Sequence, residues 1–84
     1  MHKVEIWQIC KCDGVKAKIG IKTNLDWLPK IGDSFVYQPI KGAIQTISHE
    51  YIEDKYVHIF HLAPQKINLP IDAVKPPVII KINF

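Results

Sequence analysis

The 84-residue chain is long enough for one small domain and too short for a cofactor-binding domain beside a separate substrate domain. Hydrophobic residues make up 48% of it and charged residues 23%, a balance that excludes intrinsic disorder. The formal net charge is +3, and all of the positively charged side chains are lysines. The sequence has no arginine, the side chain that nucleic-acid-binding proteins use most to read base edges.

No apolar run reaches the roughly 20 residues that span a bilayer, and the charged N-terminal residues do not suit a signal peptide. We therefore expect a cytosolic protein with no membrane partner, folded as a single domain over residues 1–84, with its two cysteines as reduced thiols. Isoleucine, valine and threonine account for 23 of the 84 residues, and this β-branched composition favours strands over helices.

The first third of the chain predicts a tight β-hairpin. Apolar and polar residues alternate after Asp13-Gly14, a dipeptide typical of two-residue hairpin turns. With this turn, Cys12 lies opposite Val15, and the other cross-strand pairs follow from that register. They are Cys10 with Ala17, Gln8 with Ile19, Trp7 with Gly20, Ile6 with Ile21, and Glu5 with Lys22. We expect Trp7 to lie on the outer side of the sheet and to cover the bare backbone of Gly20.

The middle of the chain predicts a connector and two further strands. Residues 24–29 suit a short 3₁₀ turn or loop, followed by a strand at residues 34–37 that ends before Pro39. Lys41-Gly42 predicts the turn into a strand at residues 43–50. Ile44 and Ile47 are three positions apart, so a regular strand would place them on opposite faces. For both to face the core, that strand must be bulged or strongly twisted.

A second long hairpin joins residues 43–51 to residues 56–62 through the loop at residues 52–55. If this loop closes Tyr51 against Tyr56, His49 lies opposite His58. One face of the hairpin then carries Ile47, His49, Tyr51, Tyr56, His58 and Phe60. The other face carries Thr46, Ser48, Val57, Ile59 and His61.

Four prolines between residues 63 and 77 exclude a long helix or strand there. We expect one helical turn at residues 70–74, because Pro70 suits its first position. Alternation at residues 78–84 predicts a last strand, whose apolar face consists of Val78, Ile80, Ile82 and Phe84. That strand either pairs within its own chain or adds to the sheet edge of a second copy. We favour the monomer, because so short a domain needs all its strands for one core.

These strands predict an all-β fold, a small six-stranded SH3-like or partly open β-barrel with one or two single-turn 3₁₀ segments. Residues 31–37, which include Gly32-Asp33, and the following Gly42-Ala43-Ile44 resemble small SH3-like barrels. In those barrels Gly-Asp often starts one strand and Gly-x-aliphatic starts its partner. The resemblance covers residues 31–62 and the tail, and it implies a scaffold and no particular activity.

The second hairpin supplies the leading candidate site. Aromatic residues are enriched at the centres of protein interfaces, which makes this face a candidate protein-binding surface. Its residues are His49, Tyr51, Tyr56, His58 and Phe60. The sequence has no nucleophile, phosphate-loop, dinucleotide-binding or zinc-protease motif, and spacing places no carboxylate beside the histidine pair. We therefore expect a non-enzymatic interaction module without a cofactor, such as an assembly subunit or an accessory or inhibitor protein of a mobile element.

A lysine stripe on the first hairpin offers an alternative function. Lysines beside an aromatic ring are the ingredients of a platform for single-stranded nucleic acid or a nucleotide. The residues are Trp7 with Lys3, Lys11, Lys16, Lys18 and Lys22. The same lysines also suit a solvated sheet face that resists edge-to-edge pairing, which is the more ordinary interpretation.

A small metal site is the third interpretation, with Cys10, Cys12, His49 and His58 as ligands. Zinc sites usually place two residues between paired cysteines, whereas a single residue separates this pair. Two cysteines at this spacing on a strand also cannot form an unstrained disulfide. We favour their interpretation as small core residues.

Overall fold

The computed structural model describes residues 1–82 and shows an all-β architecture. The strands are β1 (His2–Cys12), β2 (Val15–Leu25), β3 (Ser34–Tyr37), β4 (Ile40–Ile52), β5 (Lys55–Leu62), β6 (Asn68–Leu69) and β7 (Val78–Ile82). A single 3₁₀ turn, Ile71–Ala73, lies between β6 and β7 in this part of the chain. Between Met1 and Ile82, no helix has the length and apolar character needed to cross a lipid bilayer.

The strands form one curled sheet in the order β3-β4-β5-β1-β2-β7, and the two-residue β6 pairs with the end of β1. β1 runs parallel to β5 and β6, and the other neighbours are antiparallel. β3 and β7 are the two edges, so the sheet is a half-barrel, which confirms the all-β and partly open prediction. Its concave face holds the core, and its convex face points outward.

The register predicted for the first hairpin is confirmed in every pair, including Trp7 with Gly20 and Cys12 with Val15. Asp13 and Gly14 form its turn with positive φ angles of 49° and 79°, as a type I′ turn requires. The ladder continues into the first two residues of the predicted connector, because His2 and Lys3 extend β1 and pair with Leu25 and Asn24 at the end of β2. The irregular segment therefore begins after residue 25 and contains no 3₁₀ turn.

The register of the second hairpin is also confirmed, with His49 opposite His58 and Tyr51 opposite Tyr56. The turn is tighter than predicted, because residues 52 and 55 also pair. Glu53 and Asp54 alone form the turn, and their φ angles of 51° and 62° match a type I′ turn. The predicted bulge lies between residues 44 and 46 of β4.

The turn predicted at Lys41-Gly42 is wrong, because β3 and β4 are joined at Gln38-Pro39 and β4 already begins at residue 40. The glycine is needed for close packing instead. A Cβ atom on Gly42 would lie 3.1 Å from Nε2 of Gln8 and 3.3 Å from the Ala63 carbonyl oxygen.

The C-terminal strand β7 pairs antiparallel with β2 of its own chain. Val78 and Ile80 pack against the core, whereas Ile82 is exposed, so the predicted apolar face is only partly buried. Phe84 lies outside the described residues. The predicted single helical turn is present, with Pro70 as its N-cap rather than its first residue.

Two apolar clusters stabilise the sheet. The larger one fills the concave face and consists of Val4, Ile6, Cys10, Ile19, Ile21, Phe35, Ile40, Ile44, Phe60 and Leu62. The smaller one lies on the convex face and consists of Trp7, Val57 and Ile59, with Ile79 packed against them. A Cβ atom on Gly20 would overlap the indole ring, which confirms that Trp7 covers this glycine.

A buried glutamine crosses the concave core. Gln8 is 1% exposed, and its Nε2 donates to the carbonyl oxygens of Lys41 and Ala63, each at 2.6 Å. Its Oε1 accepts from the Lys41 backbone N–H at 3.1 Å and from Nε2 of Gln65 at 2.5 Å. The side chain therefore joins β1 to the start of β4 and to the segment that follows β5.

Candidate functional site

The predicted aromatic face forms a cluster at one end of the concave face, where β4 ends and β5 and β1 begin. We call it the aromatic–histidine cluster, and it consists of His2, His49, Tyr51, Tyr56 and His58. The antiparallel β4–β5 register brings four of these residues together. His2 joins them because β1 runs parallel to β5, with Val4 opposite His58.

The rings of the cluster pack directly against one another. His49 stacks on Tyr56 with ring centroids 5.3 Å apart, and His58 meets His49 edge-on at 4.9 Å. Tyr56 lies 5.2 Å from Tyr51 and 5.0 Å from His58, and His2 meets His58 edge-on at 5.6 Å. Ring contacts of this kind add stability beyond the area they bury. The cluster is therefore ordered by its own members.

The side chains of the predicted site differ in how much of their surface is exposed to solvent. Tyr51 is 77% exposed and Tyr56 is 46% exposed, so their rings are open to a partner. His58 is buried beneath them. Phe60, which we included in the site, belongs to the hydrophobic core at 1% exposure and is removed from the candidate surface. It is buried because it lies opposite Ile6 in the middle of β1, and both side chains belong to the concave core.

Burial lowers the pKa of the His58 imidazole, and the nearby imidazoles of His49 and His2 lower it further. Burial also lowers the pKa of His61 on the convex face, where the ammonium group of Lys18 contributes. Both side chains are therefore held in the neutral form more strongly in the folded protein than in the unfolded chain.

We expect the free energy of unfolding to decrease as the pH falls below about 6.5, the ordinary pKa of histidine. The unfolded chain binds protons at His58 and His61 more readily than the folded protein does, so acid favours unfolding. The stability held above that pH is lost as the pH falls through the lowered pKa values. Urea unfolding at about pH 7.5 and about pH 5.5 measures the change. His58→Phe should weaken this pH dependence, and an unchanged dependence in the variant would contradict the assignment.

The convex face carries lysines from four neighbouring strands, and we call it the lysine face. They are Lys3, Lys11, Lys16, Lys18, Lys22, Lys55 and Lys81. The stripe predicted on the first hairpin is thus extended by β5 and β7. Trp7 does not present a free ring there. It is 4% exposed, with the Nζ atoms of Lys81 and Lys18 lying 4.6 Å and 5.5 Å from its ring centroid. Its burial removes it as a base-stacking platform.

The proposed ligand set of two cysteines and two histidines does not come together. Cys10 lies six residues along β1 from Val4, the residue opposite His58, which is a separation of about 20 Å. Both thiols are buried, and burial raises the pKa of each. The neighbouring Cys12 raises the pKa of Cys10 further, and the Asp13 carboxylate raises the pKa of Cys12 further. Among residues 1–82, no group of three or more His, Cys, Asp or Glu side chains is arranged to hold a metal ion.

Three features of the candidate surfaces were missed because they depend on contacts between distant strands. His2 enters the aromatic–histidine cluster through the parallel β1–β5 pairing. Lys81 enters the lysine face because β7 pairs with β2, and Lys55 enters it through β5. Alternation within each segment identifies the face of a residue, but it does not identify the neighbouring strand.

Comparison of the chain with protein-family models, with curated proteins and with solved structures gives no match. The resemblance to SH3-like barrels is therefore carried by its two short motifs alone.

Proposed function

We propose that the protein is a non-enzymatic interaction module that binds a protein partner through the aromatic–histidine cluster. The main support is the exposed pair of tyrosine rings, Tyr51 and Tyr56, whose centroids lie 5.2 Å apart with the ring planes tilted by 59°. Tyrosine offers a large apolar surface with a polar tip and only two side-chain torsions, so ordering it on binding costs little entropy. The existing ring contacts reduce that cost further.

The charge around the cluster indicates the chemistry of the partner. Glu53 and Asp54 form the turn that connects the strands of the two tyrosines, so two acidic residues lie at this end of the sheet in a chain whose net charge is positive. An arginine side chain can stack on a tyrosine ring while its guanidinium group pairs with a carboxylate. We therefore propose a partner segment that presents arginine to this end of the sheet.

The ring contacts also support a binding role over a catalytic one. His49 and His58 contact aromatic and imidazole rings, and the pKa of His58 is lowered by burial and by its imidazole neighbours. A general base is usually oriented by a carboxylate or carbonyl that holds its other nitrogen. The packing thus suits a stable recognition surface.

We expect Tyr51→Ala with Tyr56→Ala to abolish capture of the specific partner without unfolding the protein, because both side chains are exposed. Capture from a reducing cytosolic lysate of the native host, followed by mass spectrometry, identifies the partner. Calorimetry with the purified partner should then show at least tenfold weaker binding, which is a loss of about 1.4 kcal/mol or more. Loss of a single hot-spot residue, which costs about 2 kcal/mol or more, is enough to produce that change.

The matched control is Trp27→Ala with Tyr37→Ala, which removes two exposed aromatic side chains elsewhere on the molecule. It should bind the partner as the unmodified protein does. Equal binding by both double variants, or equal loss in both, would refute the proposed surface.

A further inference from the structure

The lysine face has a groove at the end of the sheet where β1 begins. The groove has a volume of about 350 Å³ and is lined by three lysines, Lys3, Lys22 and Lys55. Two acidic residues, Glu5 and Glu53, also line it. The Glu5 carboxylate is engaged already, because its Oε1 accepts a hydrogen bond of 2.9 Å from the Trp7 indole N–H.

Two of the groove's cations are brought together by the fold. The proximity of the Lys55 ammonium group lowers the pKa of Lys3, because two like charges repel each other, whereas the Glu53 carboxylate acts in the opposite direction. Lys3 is held there by β1 and Lys55 by the start of β5. Adjacent ammonium groups repel each other, and an anion between them would remove that repulsion.

The basic surface continues to the other end of the same hairpin. Lys18 and Lys81 lie over Trp7 in the middle of the face. A second groove of about 560 Å³ follows and is lined by Ile9, Lys11, Lys16, Lys66 and Ile67 among others. β1 and β2 have 11 residues each, so the lysines form a track on the order of 30 Å long.

We propose that the lysine face binds single-stranded nucleic acid, with phosphates along the lysine track and unpaired bases in the two grooves. This site lies on the opposite face of the sheet from the aromatic–histidine cluster. Lysine ammonium groups act as point charges toward phosphate, which suits backbone contacts that do not read sequence. Apolar walls in the grooves, such as Ile9 and Val57, suit unstacked bases, which a duplex does not offer.

Fluorescence anisotropy with a labelled single-stranded oligonucleotide of mixed sequence tests the proposal. We expect Lys3→Gln with Lys55→Gln to raise Kd at least tenfold. The plot of log K against log salt should also become shallower by about 1.4, because each phosphate contact to a single strand contributes about 0.7. The matched control, Lys30→Gln with Lys75→Gln, has the same net charge and should change both quantities little. Thermal melts confirm that both variants are folded.

A second measurement reports directly on the face. The chain has two tryptophans, so Trp27→Phe leaves Trp7 as the only one. The oligonucleotide should change Trp7 emission, because phosphates draw the ammonium groups of Lys18 and Lys81 away from the ring. Absence of binding, equal weakening by both lysine pairs, unchanged Trp7 emission, or tighter binding of a duplex of the same sequence would each overturn the proposal.

Discussion

Gln8→Leu should lower the free energy of unfolding by about 3–5 kcal/mol, as measured by urea unfolding. The substitution keeps approximate side-chain volume but removes four hydrogen bonds inside the concave core. The Lys41 backbone N–H and the carbonyl oxygens of Lys41 and Ala63 then lose these partners. Each buried polar group left unpaired costs about 1–3 kcal/mol, and apolar contacts of leucine offset only part of that.

Substitutions at two other glutamines provide comparisons for the effect of Gln8→Leu on the free energy of unfolding. Gln65→Ala removes one hydrogen bond to Gln8 and one of 2.9 Å to the Pro39 carbonyl, so it should have a smaller effect. Gln45→Leu makes the same chemical change at an exposed position in the bulge of β4 and should stay within about 0.5 kcal/mol of the unmodified protein. If Gln8→Leu were as well tolerated as Gln45→Leu, the buried hydrogen-bond network would not stabilise the fold.

Trp7→Ala should cost about 3–5 kcal/mol, the range for a large aromatic residue removed from a packed environment. The indole lies beneath two lysine side chains, packs with Val57 and Ile59, and covers Gly20. Its removal leaves a cavity on the convex face and exposes the backbone of β2. Because Trp7 lies on the outer side of the hairpin, the sequence alone suggests only a small loss in the free energy of unfolding. The burial of its ring leads us to expect a large loss instead.

Trp27→Ala provides the control for this experiment, because Trp27 is 53% exposed in the segment between β2 and β3. Its replacement should change the free energy of unfolding far less than Trp7→Ala does. Ile19→Ala, in the concave core, should cost about 2–5 kcal/mol and sets the scale for a core cavity. Equal effects of the two tryptophan variants would contradict the assignment of Trp7 to a packed cluster.

The separation between the two candidate surfaces follows from the alternation of strand residues. Along β1, Ile6 and Gln8 face the core, whereas Trp7 faces outward, so adjacent residues contribute to opposite sides of the half-barrel. Variants of the tyrosines on β4 and β5 should therefore leave the lysine face unchanged. The partner-capture and oligonucleotide experiments report on the two faces separately.

The sequence by itself determined the two long hairpins and their registers. Asp13-Gly14 specified the first turn, and the parity of apolar residues on both sides allowed one register that keeps them on one face. The same argument placed His49 opposite His58 and predicted the bulge in β4. These features depend on residues close together in the chain, so short-range rules were sufficient.

Only the tertiary structure decided which hairpin neighbours which and how deeply each residue is buried. The parallel pairing of β1 with β5 joins residues more than fifty positions apart, and it brings His2 to His58 and buries Phe60. Curvature of the sheet and cover from β5 and β7 bury Trp7, although local alternation places it on the outer side. Burial depends on the summed packing of distant strands, and period-two alternation identifies only the side of the sheet.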